Sequence, residues 1–381
     1  MKKILIIYSK TGGGHLSLAQ ALEDGLNHYF PSQFETHLID PFPKIYASSY
    51  KTVGANFQEF WGKNFYLTNR PELAKVMHNL NDVVVNRKLV KIIKKEKPDA
   101  VLTTHFFASL EIEKALKKAG SKAKIIVAIA DPFTPHAVWF TYKNADLYLS
   151  PTKEVTGLMV ENGIEKEKIV TTGWLVRQDF RENCDEVDQK TLRKILGLDE
   201  AKFTIFLGGS GSGGGKIYEL AKLLSRNQQI IAGSQIIILC GNHRQLMNRL
   251  MKLAEAHLGL LHLLPYVTNV RELMAASDVV IGKAGPNILF ESIFMLKPFL
   301  ATGCLPGQED GNLEFIKREN LGWVMEEPAE AVELLTKLST SNSASTLNPL
   351  IQLIIPNLKK IRGQNLDGAK NASSAISKLL Q

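Results

Sequence analysis

Apolar residues fall in short β-branched runs separated by amphipathic stretches, and the alternation occurs twice along the chain. In the first half, runs at Lys3–Tyr8, Thr36–Asp40, Ala100–Thr103, Lys124–Ala130, Leu147–Ser150 and Lys168–Thr172 predict strands. Leu18, Ala21, Leu22 and Leu26 share one face of a helix predicted over Ser17–His28, and a second helix is predicted over Asn86–Lys97. The second half predicts strands at Lys202–Leu207, Gln235–Cys240, His262–Leu264, Asp278–Gly282 and Pro298–Thr302. Strands alternating with helices imply parallel sheets joined by right-handed crossovers. Each half opens alike, with a strand, a glycine-rich turn and a helix: ILIIYS-KTGGGH-LSLAQAL, then FTIFL-GGSGSGGGK-IYELAKLL. An α/β class follows, with two Rossmann-like domains expected at 1–177 and 178–355. Their join is placed near Arg177–Leu192, where the acidic stretch RENCDEVDQ breaks the strand pattern. The Ser/Thr/Asn-rich stretch Ser339–Leu347 reads as a loop. A helical segment at 356–381 is expected to pack back toward the N-terminal domain.

Composition narrows the function classes. The 381 residues are 45% hydrophobic and 22% charged, which suits a folded globular protein rather than a disordered or fibrous one. Cys184, Cys240 and Cys304 are widely spaced, which disfavours a structural zinc site or disulfide framework and suits reduced cytosolic thiols. No apolar run approaches the ~18 residues that span a bilayer. The opening MKKILIIYSKTGGGH reads as a first strand, not a signal peptide. Lys and Arg number 46 against 38 Asp and Glu, a net +8. That excess favours a polyanionic partner (nucleic acid, an anionic membrane surface or phosphorylated ligands), with plain solubility as the alternative.

The loop Gly208–Lys216 is the strongest local signal. Its glycines let backbone N–H groups approach an anion, and the helix that follows adds a partial positive charge. Gly209, Gly211 and Gly214 fit G-x-G-x-x-G, but the next strand ends Leu239-Cys240-Gly241-Asn242 without the acid a dinucleotide ribose wants. Ser210 and Ile217 break a Walker A loop. A diphosphate-binding turn of another kind remains, beside a plain βα turn. Thr11–His15 is a similar loop ending in a histidine at a helix N-terminus, a position that favours the neutral form and suits a general base or a cap. In Asp278–Glu291, a strand, a glycine turn and Pro286 precede Glu291, a carboxylate able to accept both hydroxyls of a ribose or to serve the helix dipole. The polar loop Leu305–Asn312 follows a strand of the same half and lines the same crevice. In Asp131–Trp139, Asp131 and His136 form a candidate catalytic or orienting pair, Phe133 and Trp139 a candidate apolar wall, and His105 a candidate third member; loop structure is the alternative. Tyr46, Tyr50, Phe57, Phe60, Trp61, Phe65 and Tyr66 interleave with Lys51 and Lys63, which suits a membrane interface, a greasy acceptor or a buried helix. The basic amphipathic stretch Arg87–Lys97 suits anionic headgroups or a solvated face. No D-x-D, H-E-x-x-H or G-x-S-x-G occurs, so the chemistry is expected to need no metal and no serine nucleophile.

Taken together, T-G-G-G-H at Thr11–His15, T-G-W-L-V-R at Thr172–Arg177, G-G-S-G-S-G-G-G at Gly208–Gly215, K-A-G-P-N at Lys283–Asn287 with Glu291, and P-G-Q-E-D-G-N at Pro306–Asn312 resemble glycosyltransferase family 28. Within it the chain is most similar to the monogalactosyldiacylglycerol synthases and the processive diacylglycerol glucosyltransferases. The resemblance implies a GT-B fold, two Rossmann-like domains with parallel sheets facing across a cleft. The C-terminal domain would bind UDP-sugar and the N-terminal domain the lipid acceptor. Carried over by motif, Gly209, Ser210, Gly211, Gly213 and Gly214 face the diphosphate and Arg177 lies near the phosphates. Gly285, Pro286 and Asn287 belong to the donor motif, and Glu291 binds the ribose. Gln308 and Glu309 meet the sugar hydroxyls, Asn312 supports their loop, and the backbone of Tyr266 and Val267 reads the uracil. Gly13, Gly14, Phe57, Phe60, Trp61, His136 and Trp139 fall to the acceptor and membrane side. His15 or Asp131 is the base. Two departures stand out: Ala130-Asp131 where the family often has Thr-Asp, and Leu16 where it often has Arg.

The expectation is inverting, metal-independent transfer of galactose or glucose from UDP-hexose to the hydroxyl of 1,2-diacylglycerol. The partners expected are UDP-hexose, diacylglycerol and an anionic membrane surface, not nucleic acid. The place expected is the cytoplasmic, inner face of the cell membrane, held peripherally. Transfer of N-acetylglucosamine or another sugar to a polyprenyl-linked acceptor, a UDP-sugar 2-epimerase and a UDP-sugar sensor without turnover are the rival readings.

Overall fold

The structure is a computed structural model and describes all residues except 11–12, 44–57, 71, 75, 77–81, 183–187, 209–215 and 341–347, together with the side chains of 58–60 and 82–84. The chain divides into two compact units. The first comprises Met1–Gln178, Pro306–Gly311 and Gln364–Gln381; the second comprises Asp179–Leu305 and Asn312–Gly363. Residues 306–311 therefore belong to the first unit, although strands of the second unit lie on either side of them in sequence. The second unit runs on to Gly363, past the expected limit of 355.

In the first unit β1 (Lys2–Ile7), β2 (Phe34–Ile39), β3 (Ala100–Thr103), β4 (Lys124–Ala128), β5 (Leu147–Ser150) and β6 (Ile169–Thr171) form one parallel sheet in the order β2-β1-β3-β4-β5-β6. Ile4, Leu5, Ile6 and Ile7 are wholly buried, as a central strand covered on both faces must be. The helix Gly14–Tyr29 turns Leu18, Ala21, Leu22 and Leu26 onto that sheet. Ala372, Ile376 and Leu380 of the last helix, Gly368–Leu380, join the same core. Gly25 meets that helix so closely that an added Cβ would lie 2.9 Å from Ser373 Oγ.

In the second unit β7 (Phe203–Gly208), β8 (Ser234–Gly241), β9 (Leu261–Pro265), β10 (Val279–Gly282), β11 (Phe299–Ala301) and β12 (Gly322–Val324) form a second parallel sheet, ordered β12-β11-β10-β7-β8-β9. The starts of its central strands β7 and β10 are tied by a buried ion pair: Arg193 Nη2 donates to Asp278 Oδ2 at 2.6 Å, and the same oxygen takes the Thr204 N–H at 2.7 Å. Paired and multiply hydrogen-bonded, these charges offset the desolvation that burial imposes. β12 had no counterpart among the predicted strands. Ser339 and Thr340, read as loop, end the helix Pro328–Thr340.

Candidate active site

Ligands of parallel α/β sheets sit at the carboxyl ends of the strands, where the order reverses direction. In the first unit that point lies between β1 and β3, since β2 lies on one side and β4 on the other. The helix Gly14–Tyr29 starts there, behind Gly13, whose φ of 80° suits a glycine. His15 sits in its first turn and is buried. Its Nδ1 lies 2.5 Å from the Thr104 carbonyl, which only accepts, so Nδ1 carries the proton and Nε2 holds the lone pair. Thr104 Oγ1 returns a bond to the His15 carbonyl at 2.9 Å. Burial pushes the His15 imidazole down to about 4, the Thr104 bond opposing it, so it is neutral at pH 7. The His105 ring lies 4.6 Å from His15 and is also driven well below its ordinary range by burial and by its neighbour.

From His105 an aromatic wall continues along the strand ends. Phe106 stacks on His105 at 4.7 Å, and Trp139 meets Phe106 edge-on at 5.6 Å. Trp139 Nε1–H donates to Asp131 Oδ2 at 2.6 Å, and the Gln308 amide donates to Asp131 Oδ1 at 2.9 Å. Burial raises the Asp131 carboxyl to about 6; those two donors oppose the rise and the nearby Glu309 charge adds to it. His15 and Asp131, remote in sequence, thus lie along one buried wall at the ends of β1, β3 and β4.

The expected Asp131–His136 pair is not formed. His136 caps the short turn Ala137–Phe140: its Nδ1 accepts the Val138 N–H at 3.1 Å, while Nε2 faces Thr68 Oγ1 at 3.1 Å. Burial holds it at about 4. Trp139 is not a bare apolar wall either, since its indole orients Asp131. Trp61 is half-buried and its neighbour Gly62 packs on Pro306, where an added Cβ would lie 2.8 Å from Pro306 Cβ. Phe57 and the side chain of Phe60 lie outside the described residues. Arg177 is half-buried at the end of the segment leading out of β6.

In the second unit the reversal lies between β7 and β10. The turn after β7, carrying Gly209, Ser210, Gly211, Gly213 and Gly214, lies outside the described residues. A Cβ at Gly282 would sit 2.5 Å from the Gly208 carbonyl oxygen, so glycine is required where these strands end. Beyond β10, Gly285 caps the helix Pro286–Phe294, with the proline in its first turn. Asn287 and Glu291, four residues apart, share one face of it, and Glu291 is buried. Asn312 Nδ2 donates to the Ala284 carbonyl at 2.7 Å and so fixes the turn before that helix. Exposed Tyr266 and half-buried Val267 follow β9. The partners of the catalytic candidates lie 89 residues (His15–Thr104), 68 residues (Thr68–His136) and 177 residues (Asp131–Gln308) apart, and no local pattern announces them.

Residues 15–176 match the monogalactosyldiacylglycerol (MGDG) synthase family, and residues 204–327 match the glycosyltransferase family 28 C-terminal domain. Monogalactosyldiacylglycerol synthase 1 of Arabidopsis thaliana is 27% identical over 354 residues, 88% of this chain and 64% of the plant protein. The chain thus spans just under two thirds of that relative. A processive diacylglycerol beta-glucosyltransferase of Staphylococcus epidermidis is 26% identical over 359 residues, covering 91% of this chain and 86% of its own. Among solved structures, a UDP-glucosyltransferase from Polygonum tinctorium aligns with a TM-score of 0.65 at 13% identity, over 100% of this chain and 98% of its own. HepE of Anabaena, in complex with UDP, aligns at 0.60 and 15%, over 100% and 99%. These likenesses identify the fold as GT-B.

Proposed function

We propose that this chain is a glycosyltransferase of family 28 that moves a hexose from UDP-hexose to the hydroxyl of 1,2-diacylglycerol with inversion at the anomeric carbon. The observation that carries the reading is the pairing of a synthase-type first half with a family 28 C-terminal half, the first holding Asp131 and His15 buried on one wall, each able to accept a proton at neutral pH. The hydroxyl oxygen attacks the anomeric carbon, the bond to the β-phosphate oxygen breaks, and UDP leaves with the electron pair. The hydroxyl proton goes to Asp131, whose value of about 6 lies nearer the working pH than the 4 of His15. His15, its tautomer fixed by Thr104, orients the acceptor hydroxyl through Nε2. The glycine-rich turn after β7, the helix behind it and Arg177 offset the charge on the leaving diphosphate. Glu291 receives the ribose hydroxyls. The absence of a D-x-D pair supports transfer without a metal.

A greasy acceptor needs access to a bilayer. No helix among the described residues is long and apolar enough to cross one. The first unit exposes Tyr66, Leu67, Leu73 and Val76 beside Lys63 and Arg70, and its helix Asp82–Glu96 exposes Arg87, Lys88, Lys91, Lys94 and Lys95. Apolar side chains flanked by cations suit peripheral docking on an anionic leaflet, and we assign the inner face of the cell membrane.

The test is incubation with UDP-galactose or UDP-glucose and diacylglycerol in anionic vesicles, with EDTA present, and mass and sugar analysis of the lipid. A glycolipid is expected with one of the sugars, which names the donor. Glu291→Ala is expected to raise the KM for UDP-hexose ten- to a hundred-fold, about the worth of hydrogen bonds to a charged group. His15→Ala is expected to lower kcat by about 10²-fold or more. UDP binding without product from either sugar would overturn the diacylglycerol acceptor and favour a polyprenyl-linked one.

A further inference from the structure

The family resemblance gives Gln308 to the donor sugar, and the proposed function gives Asp131 to the acceptor proton. In the structure they touch. The Gln308 amide donates to Asp131 Oδ1, and the contact lies within the first unit, to which residues 306–311 belong. The backbone of this loop is pinned. The Thr134 hydroxyl donates to the Gln308 carbonyl at 2.7 Å, the Gly307 N–H donates to Asp310 Oδ1 at 3.0 Å, and Tyr66 Oη donates to Asp310 Oδ2. Gly311 approaches Phe133 so closely that a Cβ there would lie 2.6 Å from Phe133 Cβ. With the backbone held, the freedom left to Gln308 is rotation of its own side chain. Asp131 Oδ2 stays with the Trp139 indole, held edge-on against Phe106.

We propose that Gln308 couples the two substrates: its amide donates to Asp131 until donor binds, then turns to the sugar hydroxyls, releasing a lone pair of Asp131 Oδ1 for the acceptor hydroxyl. The inference rests on the assignment of Asp131 and the donor sugar above and deepens it. An N–H donor favours the ionised carboxylate and so weakens it as a base; its withdrawal makes the same carboxylate more basic. The enzyme thus readies its proton acceptor when the donor is in place, and order of binding follows from one side chain. The other titratable groups around Asp131 do not compete for this role. Glu309 raises its basicity in both states, and His15, His105 and His136 are held neutral by burial. Trp139 is a positioning residue that keeps the carboxylate facing the site through the exchange.

Trp139 is also a reporter, because protonation of a carboxylate bonded to an indole changes its emission. The full chain is titrated between pH 4.5 and 8.5 by tryptophan fluorescence, alone and with saturating UDP-galactose or UDP-glucose, and the Trp139→Phe trace is subtracted. A transition near pH 6 that is lost in Asp131→Asn is expected. The donor should move its midpoint up by about one pH unit, the scale of one hydrogen bond to a carboxylate. Gln308→Ala should start at the raised midpoint and not move when donor is added. Donor binding, followed separately by thermal shift, without a change in the midpoint overturns the coupling and leaves the functional reading intact. Gln308→Ala that still shows the donor-induced shift overturns it as well. Failure of both UDP-hexoses to bind overturns the functional reading and the coupling with it.

Discussion

Asp131 is ionised at neutral pH against its surroundings. Its folded value of about 6 stands above the ordinary 3.8, so its contribution to stability is complete below about pH 4 and is lost as pH rises through 6. A rise of that size corresponds to about 3 kcal/mol once the group is ionised. Asp131→Asn is therefore expected to be more favourable, relative to the parent, at pH 8 than at pH 4.5, by up to about that amount. Urea unfolding at the two pH values measures it, and an equal effect at both would mean that the carboxylate is not held ionised in the interior. The kcat/KM for the donor, which reports the free enzyme, should show the same group as an acid limb near pH 6; a limb near 4 would assign the proton to His15. Both candidates stood out in the sequence because each follows an apolar strand, and the structure places both on one buried wall. Their partners did not stand out, because a carbonyl at Thr104 and an amide at Gln308 are brought in by sheet order and not by spacing.

Most strands were legible because buried parallel strands must be nearly continuous apolar runs, and eleven of the twelve coincide with runs predicted from the sequence. β12, Gly322–Val324, does not: it is three residues long, half-buried at the sheet edge and opened by a glycine. The helix predicted from Ser17 begins at Gly14, because the glycine-rich turn itself enters the first turn, a use of glycine that propensity does not foresee. The same chemistry sets opposite outcomes for two glycines. At Gly282 an added methyl meets the Gly208 carbonyl, so Gly282→Ala must push β7 and β10 apart, at a cost of about 1–3 kcal/mol, and displace the turn assigned to the diphosphate. At Gly157, inside the helix Lys153–Glu161, nothing lies within 4 Å of the added methyl, so Gly157→Ala should stabilise by about 0.5–1 kcal/mol. Thermal melts with and without UDP decide both, and a Gly282→Ala protein that keeps the parental melting point and UDP affinity would remove the close-approach argument.

Among the described residues the first unit buries three histidines in neutral form. Folding lowers His15 and His136 to about 4 and drives His105 down as well, so the stability these rings lend is present above the ordinary 6.5 and is lost as pH falls toward 4. A fall of 2.5 pH units corresponds to about 3 kcal/mol for each of His15 and His136. The Asp131 term runs the other way but is smaller than their sum. The first unit is thus expected to lose stability steeply between pH 6.5 and 4.5, and calorimetry across that range reads it; a flat melting temperature would show that the rings are not sealed from water. Division of the chain into two α/β halves was legible in its repeated strand–turn–helix opening, but the composition of each half was not. Residues 306–311 and 364–381 join the first unit across long stretches of chain, and nothing in their composition says so. The backbone passes from one unit to the other after Gln178, Leu305, Gly311 and Gly363, which has a practical meaning for anyone who would express the halves apart. A fragment ending at residue 178 lacks the Gln308 amide that Asp131 binds and the terminal helix that covers Gly25. It would carry a sticky apolar flank and should aggregate. A self-contained first unit has to be assembled from three pieces, with the terminal helix and the 306–311 loop grafted back through linkers.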